Sequence, residues 1–363
     1  MTRTLQATLL TLGDPGRLTG GYLYHRRMAE AAPRNGARLD FVSFPERPFP
    51  LAALAAPIVL REAGRLAARV LVLDSIAAAF LGPWLLARRP ALPLVGMLHQ
   101  PPGGIDHGPL RTAVQAQLDR LAYRRVRLLM VASDALAEQL KAEGVPRHLL
   151  RVVPPGRDVA ARTGPPPGDL RQGRRAAFLC VGNWVERKGI HSLLEAFARL
   201  PADAGTLHLA GDPEAEPRYA RRIRERLTHR DLCGRVVVHG ALPLSAVAAL
   251  YEAADAFVLP SLREPYGTVY GEAMAAGLPV VGWRAGNLPY LAEHQREGLV
   301  LVSGDLPGLT RALARLADDE PLRRRLGAAA RRRALSRPTW EQSAALFFNT
   351  IREALAAPLP NDS

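Results

Sequence analysis

Short, nearly uninterrupted apolar runs recur along this chain, each followed by a helical stretch, and that alternation leaves few folds open. In the first half the runs fall at 5–12, 38–43, 69–73, 93–98, 128–132 and 151–153. In the second half they fall at 177–181, 206–210, 235–238, 256–259, 279–282 and 299–302. Helical patterns lie between them, at 22–32, 51–68 with an interruption at Pro57, 76–89 with a break near Gly82-Pro83, 110–125 and 134–143. Leu193, Leu194, Phe197 and Leu200 mark one face of a helix over 192–200, and the tail from Leu309 is helical. Strands apolar on both faces belong in parallel sheets covered by helices on both sides. The Pro/Gly cluster between Pro154 and Gly168 separates two such series, and 363 residues suit two domains of this kind. The fold class is therefore α/β, with two Rossmann-like domains facing each other across a cleft. The boundaries are 1–168 and 169–337, with a C-terminal helix at 338–357.

The most informative loop follows the run at 256–259. There Glu264-Pro265-Tyr266-Gly267 breaks the chain before a helix of small residues that closes at Gly277 and Pro279. Two acids, Glu264 and Glu272, thus sit where a strand hands over to a helix, the position at which α/β sheets bind ligands. A carboxylate accepts hydrogen bonds from two vicinal hydroxyls at once, which suits a sugar ring or a ribose. The paired acids of a glycoside hydrolase are the competing chemistry, but no apolar pocket that would raise a carboxyl pKa is legible around them.

Gly182-Asn183-Trp184-Val185-Glu186-Arg187-Lys188-Gly189 follows the first strand of the second half. It places Arg187 and Lys188 at a helix start, where adjacent cations oppose the helix dipole unless an anion offsets them. Lys188 is one of only two lysines, with Lys141, in a chain otherwise served by arginine. Gly20-Gly21, ahead of the first long helix, lets backbone approach a diphosphate, although the spacing is not that of a dinucleotide fingerprint. His99 ends the fourth strand beside a Gly/Pro loop, placed to meet a hydroxyl or shuttle a proton.

The formal charge of +14 favours anionic partners. Arg124, Arg125 and Arg127, after an amphipathic stretch, offer either a solvated helix end or peripheral contact with an anionic membrane at its inner face. The triplets 323–325 and 331–333 read as solvated helix faces, and no nucleic-acid motif accompanies them, so nucleic acid is not an expected partner. Cys180 and Cys233 are too few for a disulfide scaffold and fit a cytoplasmic location. Cys180 lies in an apolar run and reads as inert core. No run reaches membrane-spanning length. Asp-x-Asp and His/Cys metal spacings are absent, so neither a metal nor another cofactor is expected.

The stretch "EPYGTVYGEAMAAGLPVV", with "VGNWVERKGIHSLLEAF", "LHLAGD", "ADAFVLPS", "VVPPGRD", "GNLPYLAEHQREGLVLVSGD" and "TWEQSAALF", resembles the retaining glycosyltransferases of family 4, which have the GT-B fold. The resemblance runs nearly the whole chain and is most specific from Val181 to Asp305. It implies a metal-independent enzyme that moves a sugar from a nucleotide-diphosphate sugar to an acceptor hydroxyl. It assigns Glu264 to the donor sugar, Glu272 to the ribose, the amides of Gly267, Thr268 and Val269 to the diphosphate, and Lys188 to its charge. His99 falls near the donor sugar, Gly20 and Gly21 near the phosphates, and the helix after Trp340 crosses back onto the first domain. Where the family usually carries arginine after "VG", this chain has Asn183, and Arg187 is the candidate replacement. A GT-B epimerase or phosphorylase, and a non-catalytic sugar-nucleotide-binding subunit, are the alternatives.

Overall fold

The apolar runs become strands, and each finds a parallel neighbour. A computed structural model describes residues 4–16, 20–49, 51–88, 90–105, 107–157 and 168–356. Strands β1 (Leu5–Leu12), β2 (Ala37–Phe44), β3 (Val70–Asp74), β4 (Leu94–Leu98), β5 (Leu129–Val131) and β6 (Leu150–Val152) form one sheet, ordered β2-β1-β3-β4-β5-β6. Strands β7 (Ala176–Val181), β8 (Gly205–Ala210), β9 (Val236–Gly240), β10 (Ala256–Val258), β11 (Val280–Trp283) and β12 (Gly298–Leu301) form the second, ordered β12-β11-β10-β7-β8-β9. Every pairing within the two sheets is parallel. Strands β3, β4 and β8 are buried at every position, as strands covered on both faces must be. β9, at the edge of its sheet, is only half-buried.

In each sheet the strand order reverses direction once. The reversals fall between β1 and β3 and between β7 and β10. Loops that leave the carboxyl ends of strands on either side of such a reversal diverge to opposite faces and leave a crevice. These two places position the residues considered below.

The chain divides into two compact units, residues 1–156 with 338–363, and residues 157–337. The sequence reading drew the first boundary at residue 168. The division falls at Gly156/Arg157, where Arg157 Nε donates to the Arg337 carbonyl at 3.2 Å, within the second unit. Most of the Pro/Gly cluster, residues 158–167, lies outside the described residues. The helix Trp340–Ala356 packs on the first unit. Phe347, Phe348 and Ile351 are fully buried, Arg127 Nη1 donates to the Ala354 carbonyl at 3.0 Å, and Trp340 sits edge-on to Tyr24.

Several local expectations change. Pro57 does not interrupt a helix; a 3-10 turn, Leu51–Ala55, precedes a helix Ala56–Arg65 that has Pro57 in its first turn, where a missing N–H costs nothing. Pro83 does not break its helix either, because Ala78–Ala87 runs through it. Gly82 in that helix packs so tightly on the neighbouring helix Pro109–Tyr123 that a β-carbon there would lie 2.3 Å from the Leu118 carbonyl oxygen. Tertiary packing outweighs the local penalty of roughly 3 kcal/mol. Arg323, expected on a solvated face, is 5% exposed; its guanidinium donates to the carbonyls of Leu316 and Ala317 and lies 3.8 Å from Asp255. Arg127, placed in a basic surface stretch, holds the C-terminal helix instead. Among the described residues no helix is long and apolar enough to cross a membrane.

Candidate active site

In the second unit, the crevice residues come from the loops after β7 and β10. The β7 loop makes a single 3-10 turn, Glu186–Lys188, before the helix Ile190–Ala198. Arg187 and Lys188 therefore lie in the turn immediately ahead of that helix. Gly189 joins the two segments with φ +69°, and a β-carbon there would meet the Pro260 carbonyl oxygen at 2.1 Å. Only glycine fits such a left-handed, crowded position. The Arg187 carbonyl then accepts from Leu262 N (2.8 Å) and Ser261 Oγ (3.0 Å), which stitches the β7 loop to the β10 loop.

That stitching brings Lys188 against Glu264. Lys188 Nζ lies 2.5 Å from Glu264 Oε2, and Arg187 Nη1 lies 3.8 Å from the same oxygen. Lys188 is 8% exposed, and the Glu264 side chain 13%. A lysine and a carboxylate so far from solvent each need the other, since burying an isolated charge is costly. The β10 loop is clamped from behind by Asn287, itself fully buried. Its backbone N–H donates to the Glu264 carbonyl (2.9 Å) and its Nδ2 to the Tyr266 carbonyl (2.8 Å). Gly286, beside it, has φ +54°, and its Cα approaches the Glu264 backbone so closely that a β-carbon would lie 2.4 Å from the Glu264 carbonyl oxygen.

Gly267 forms the N-cap of the helix Thr268–Ala275. Helix geometry gives the amides of Thr268 and Val269 no intrahelical acceptor, and a helix start of this kind suits an anion. One turn on, Tyr251 Oη donates to Glu272 Oε2 at 3.0 Å. Burial, with Glu272 beside it, holds the Tyr251 phenol well above its ordinary pKa, so it stays a donor. Asn183 does different work: its Oδ1 accepts from Asp212 N at 3.1 Å, and it ties the β7 loop to the β8 loop. Burial pushes Cys180 up to about 12, which makes it an inert core thiol.

In the first unit, Gly20 and Gly21 lie inside the helix Gly20–Ala31, at its first turn, and not in the loop ahead of it. Gly21 is beside His99, whose Cδ2 would be 3.7 Å from a β-carbon at Gly21. His99 leaves the end of β4 and Asp74 ends β3. The loop after His99 is pinned at Gly103, whose N–H donates to Asp119 Oδ2 at 2.8 Å; burial pushes Asp119 up to about 7.

Sequence reasoning missed His25, Asp74, Tyr251 and Asn287. His25, Asp74 and His99 each offer a ligand atom within 4.8 Å of the others, a cluster that no sequence spacing reveals because 74 residues separate the outer pair. His99 and Asp74 face opposite nitrogens of the His25 ring, Nε2 at 2.7 Å and Nδ1 at 3.7 Å. His25 thus stands between the other two, with a different ring nitrogen toward each.

Two Rossmann-like units of this kind are the pattern of the GT-B fold. The family described as "Glycosyl transferase 4-like domain" matches residues 2–156, and "Glycosyl transferases group 1" matches residues 168–333. The chain belongs to these group 1, GT4-type glycosyltransferases. It is 29% identical over 302 residues to the D-inositol 3-phosphate glycosyltransferase of Xylanimonas cellulosilytica, covering 75% of this chain and 69% of that one. Against other curated glycosyltransferases the matches span 41% to 60% of the relatives' length. Among solved structures, sucrose-phosphate synthase from Thermosynechococcus elongatus superposes with a TM-score of 0.81 at 22% identity, over 98% of this chain and 100% of that one. HepE of Anabaena in complex with UDP superposes with a TM-score of 0.78 at 21% identity, over 96% and 100%.

Proposed function

We propose that this glycosyltransferase takes a nucleotide-diphosphate sugar as donor, needs no metal, and retains the configuration of the transferred sugar. The second unit holds the donor and the first takes the acceptor hydroxyl. The observation that carries this reading is the Lys188–Glu264 pair at the β7/β10 reversal, followed directly by the helix start at Thr268. UDP in the HepE structures, with UDP-glucose in one of them, supports a donor of that chemical class.

Departure of the nucleoside diphosphate is the demanding step, because charge builds on the leaving phosphate. Lys188, with Arg187 beside it, offers fixed positive charge, and the amides at Thr268 and Val269 offer preorganised dipoles. Such groups lower a barrier because they need no reorientation as charge develops. In this role Lys188 exchanges part of its contact with Glu264 for the phosphate. Glu264 is thereby released to accept from sugar hydroxyls, while Glu272, steadied by Tyr251, accepts from the ribose. Front-face attack by the acceptor, its proton taken by the leaving phosphate, gives retention; this step follows from family resemblance.

The test is a transfer assay across nucleotide sugars and acceptors, with the product anomer read by NMR in buffer containing a chelator. An α-linked donor should yield an α-linked product, with the rate unchanged by the chelator. An inverted product, or activity that returns only when a divalent ion is added, would refute the proposal.

A further inference from the structure

Thr11 Oγ1 donates to Asp74 Oδ2 at 2.8 Å, Asp74 Oδ2 lies 3.7 Å from His25 Nδ1, and His25 Nε2 lies 2.7 Å from His99 Nε2. Asp74 and His25 are 2% and 1% exposed. Tyr24 stands edge-on to both imidazoles and closes the side of the chain. The mechanism above uses none of these groups. From them we infer that Asp74 and His25 are positioning residues that fix His99 in one tautomer, with a lone pair at Nδ1 for a substrate hydroxyl. This inference rests on the reading of His99 as a sugar contact.

The tautomer follows from which atoms can donate. Burial lowers both imidazoles, His99 to about 4 and His25 well below its ordinary value, so both rings are neutral at pH 7 to 8. Asp74 is pushed up by burial to about 6 against several hydrogen bonds that pull it down, so above pH 7 it is mostly ionised. His25 Nδ1 is buried with no hydrogen-bond partner, and the carboxylate is the charge nearest it. A carboxylate favours a proton on the nitrogen that faces it, which places hydrogen on His25 Nδ1. Nε2 of His25 then carries the lone pair, and a neighbour at 2.7 Å must donate to it. His99 Nε2 is therefore the protonated nitrogen, and His99 Nδ1 is left as an acceptor. No residue among those described hydrogen-bonds to that Nδ1.

Asp74→Asn tests the chain because it should run the chain backwards. Asp74 Oδ1 faces the Ile76 amide at 3.4 Å and the Ser75 hydroxyl, and the amide can only donate. The Asn carbonyl is held there, and its NH2 takes the Oδ2 position, where the Thr11 hydroxyl rotates to accept. His25 Nδ1 now faces a donor and becomes the acceptor. The proton moves to His25 Nε2, and His99 ends with hydrogen on Nδ1. An Asp-to-Asn change that preserves geometry and reverses a histidine tautomer is known to suppress catalysis by about 10⁴ where that histidine is the base. A ring that only receives a hydroxyl contact should lose less, about 10- to 100-fold in kcat, the worth of one unsatisfied hydrogen bond.

The experiment uses the full chain labelled with ¹⁵N-histidine, with the His99 resonances identified by their loss in His99→Gln. Two-bond ¹H–¹⁵N correlations at pH 8 report each tautomer directly. The expected result is an Nε2–H ring at His99 and an Nδ1–H ring at His25, both reversed in Asp74→Asn. The kcat of that variant should fall at least tenfold while KM for the donor stays within about twofold. Unreversed tautomers in Asp74→Asn would overturn the inference whatever the activity, and so would reversed tautomers with unchanged kcat. Unchanged turnover in His99→Gln would instead refute the sugar-contact reading, a separate failure. Should Asp74→Asn not fold, His25→Gln uncouples Asp74 from His99. A single fixed His99 tautomer surviving in that variant would equally overturn the inference.

Discussion

Lys188→Ala is expected to lower kcat by about 10²–10³-fold, the typical loss when one preorganised group that stabilises developing anionic charge is removed. Two effects compete in this variant. Removing the lysine leaves Glu264 mostly buried without its nearest cation, and breaking a buried pair costs up to about 3–5 kcal/mol. Arg187 Nη1, however, lies 3.8 Å from the same carboxylate oxygen, and the Arg187 and Glu264 side chains keep some solvent contact, 23% and 13%. The stability loss should therefore sit at the low end, and the variant should fold. Circular dichroism near that of the wild type, together with the kinetic loss, is the expected pair of results. Lys188→Arg should restore charge but not the compact ammonium, and only part of the rate. Transfer at near wild-type rate by Lys188→Ala would remove Lys188 from the mechanism.

Gly286→Ala should damage the same site from outside it. Its β-carbon would sit 2.4 Å from the Glu264 carbonyl oxygen and 2.7 Å from the Glu264 nitrogen, backbone atoms that cannot swing aside like a side chain. The left-handed φ adds about 1–2 kcal/mol for a residue with a β-carbon, and overpacking about 1–3 kcal/mol. The loop must move, and with it the Asn287 hydrogen bonds to the carbonyls of Glu264 and Tyr266. For a unit of this size each kcal/mol corresponds to roughly 2–4 °C, so the melting temperature should fall by about 4–20 °C. The KM for the donor should rise more than tenfold, because Glu264 leaves the position from which it would accept from the donor sugar. A variant with wild-type donor KM would show that the β10 loop does not hold the donor.

Much of this was legible in the residues. The twelve apolar runs match the twelve strands to within two residues at either end, because a strand buried on both faces leaves an unbroken apolar signature. The loops that carry Lys188 and Glu264 stood out because glycines, adjacent cations and acids broke the local pattern at strand ends. The contacts behind them were not legible. Asn287 lies 23 residues beyond Glu264 and clamps it through backbone atoms, and no periodicity encodes such a contact. Tyr251 lies between the apolar runs at 235–238 and 256–259, and no spacing ties it to Glu272, 21 residues on. His25 falls within the helical pattern 22–32, which does not mark it, yet it is 1% exposed and lies against Asp74 and His99. Arg323 misled for the complementary reason. Arginine usually signals a wet surface, but here its fork satisfies the last carbonyls of the preceding helix.

The central claim is that the Lys188–Glu264 loops bind a nucleotide-diphosphate sugar. Thermal unfolding across a panel of nucleoside diphosphates and their sugars, without divalent metal, tests it most directly, because a ligand bound only by the native state at 100 times its Kd adds about 2.7 kcal/mol of stability. At least one nucleotide pair should raise the melting temperature of the wild type by several degrees and leave Lys188→Ala nearly unmoved. No shift with any nucleotide, or an equal shift in both proteins, would contradict it.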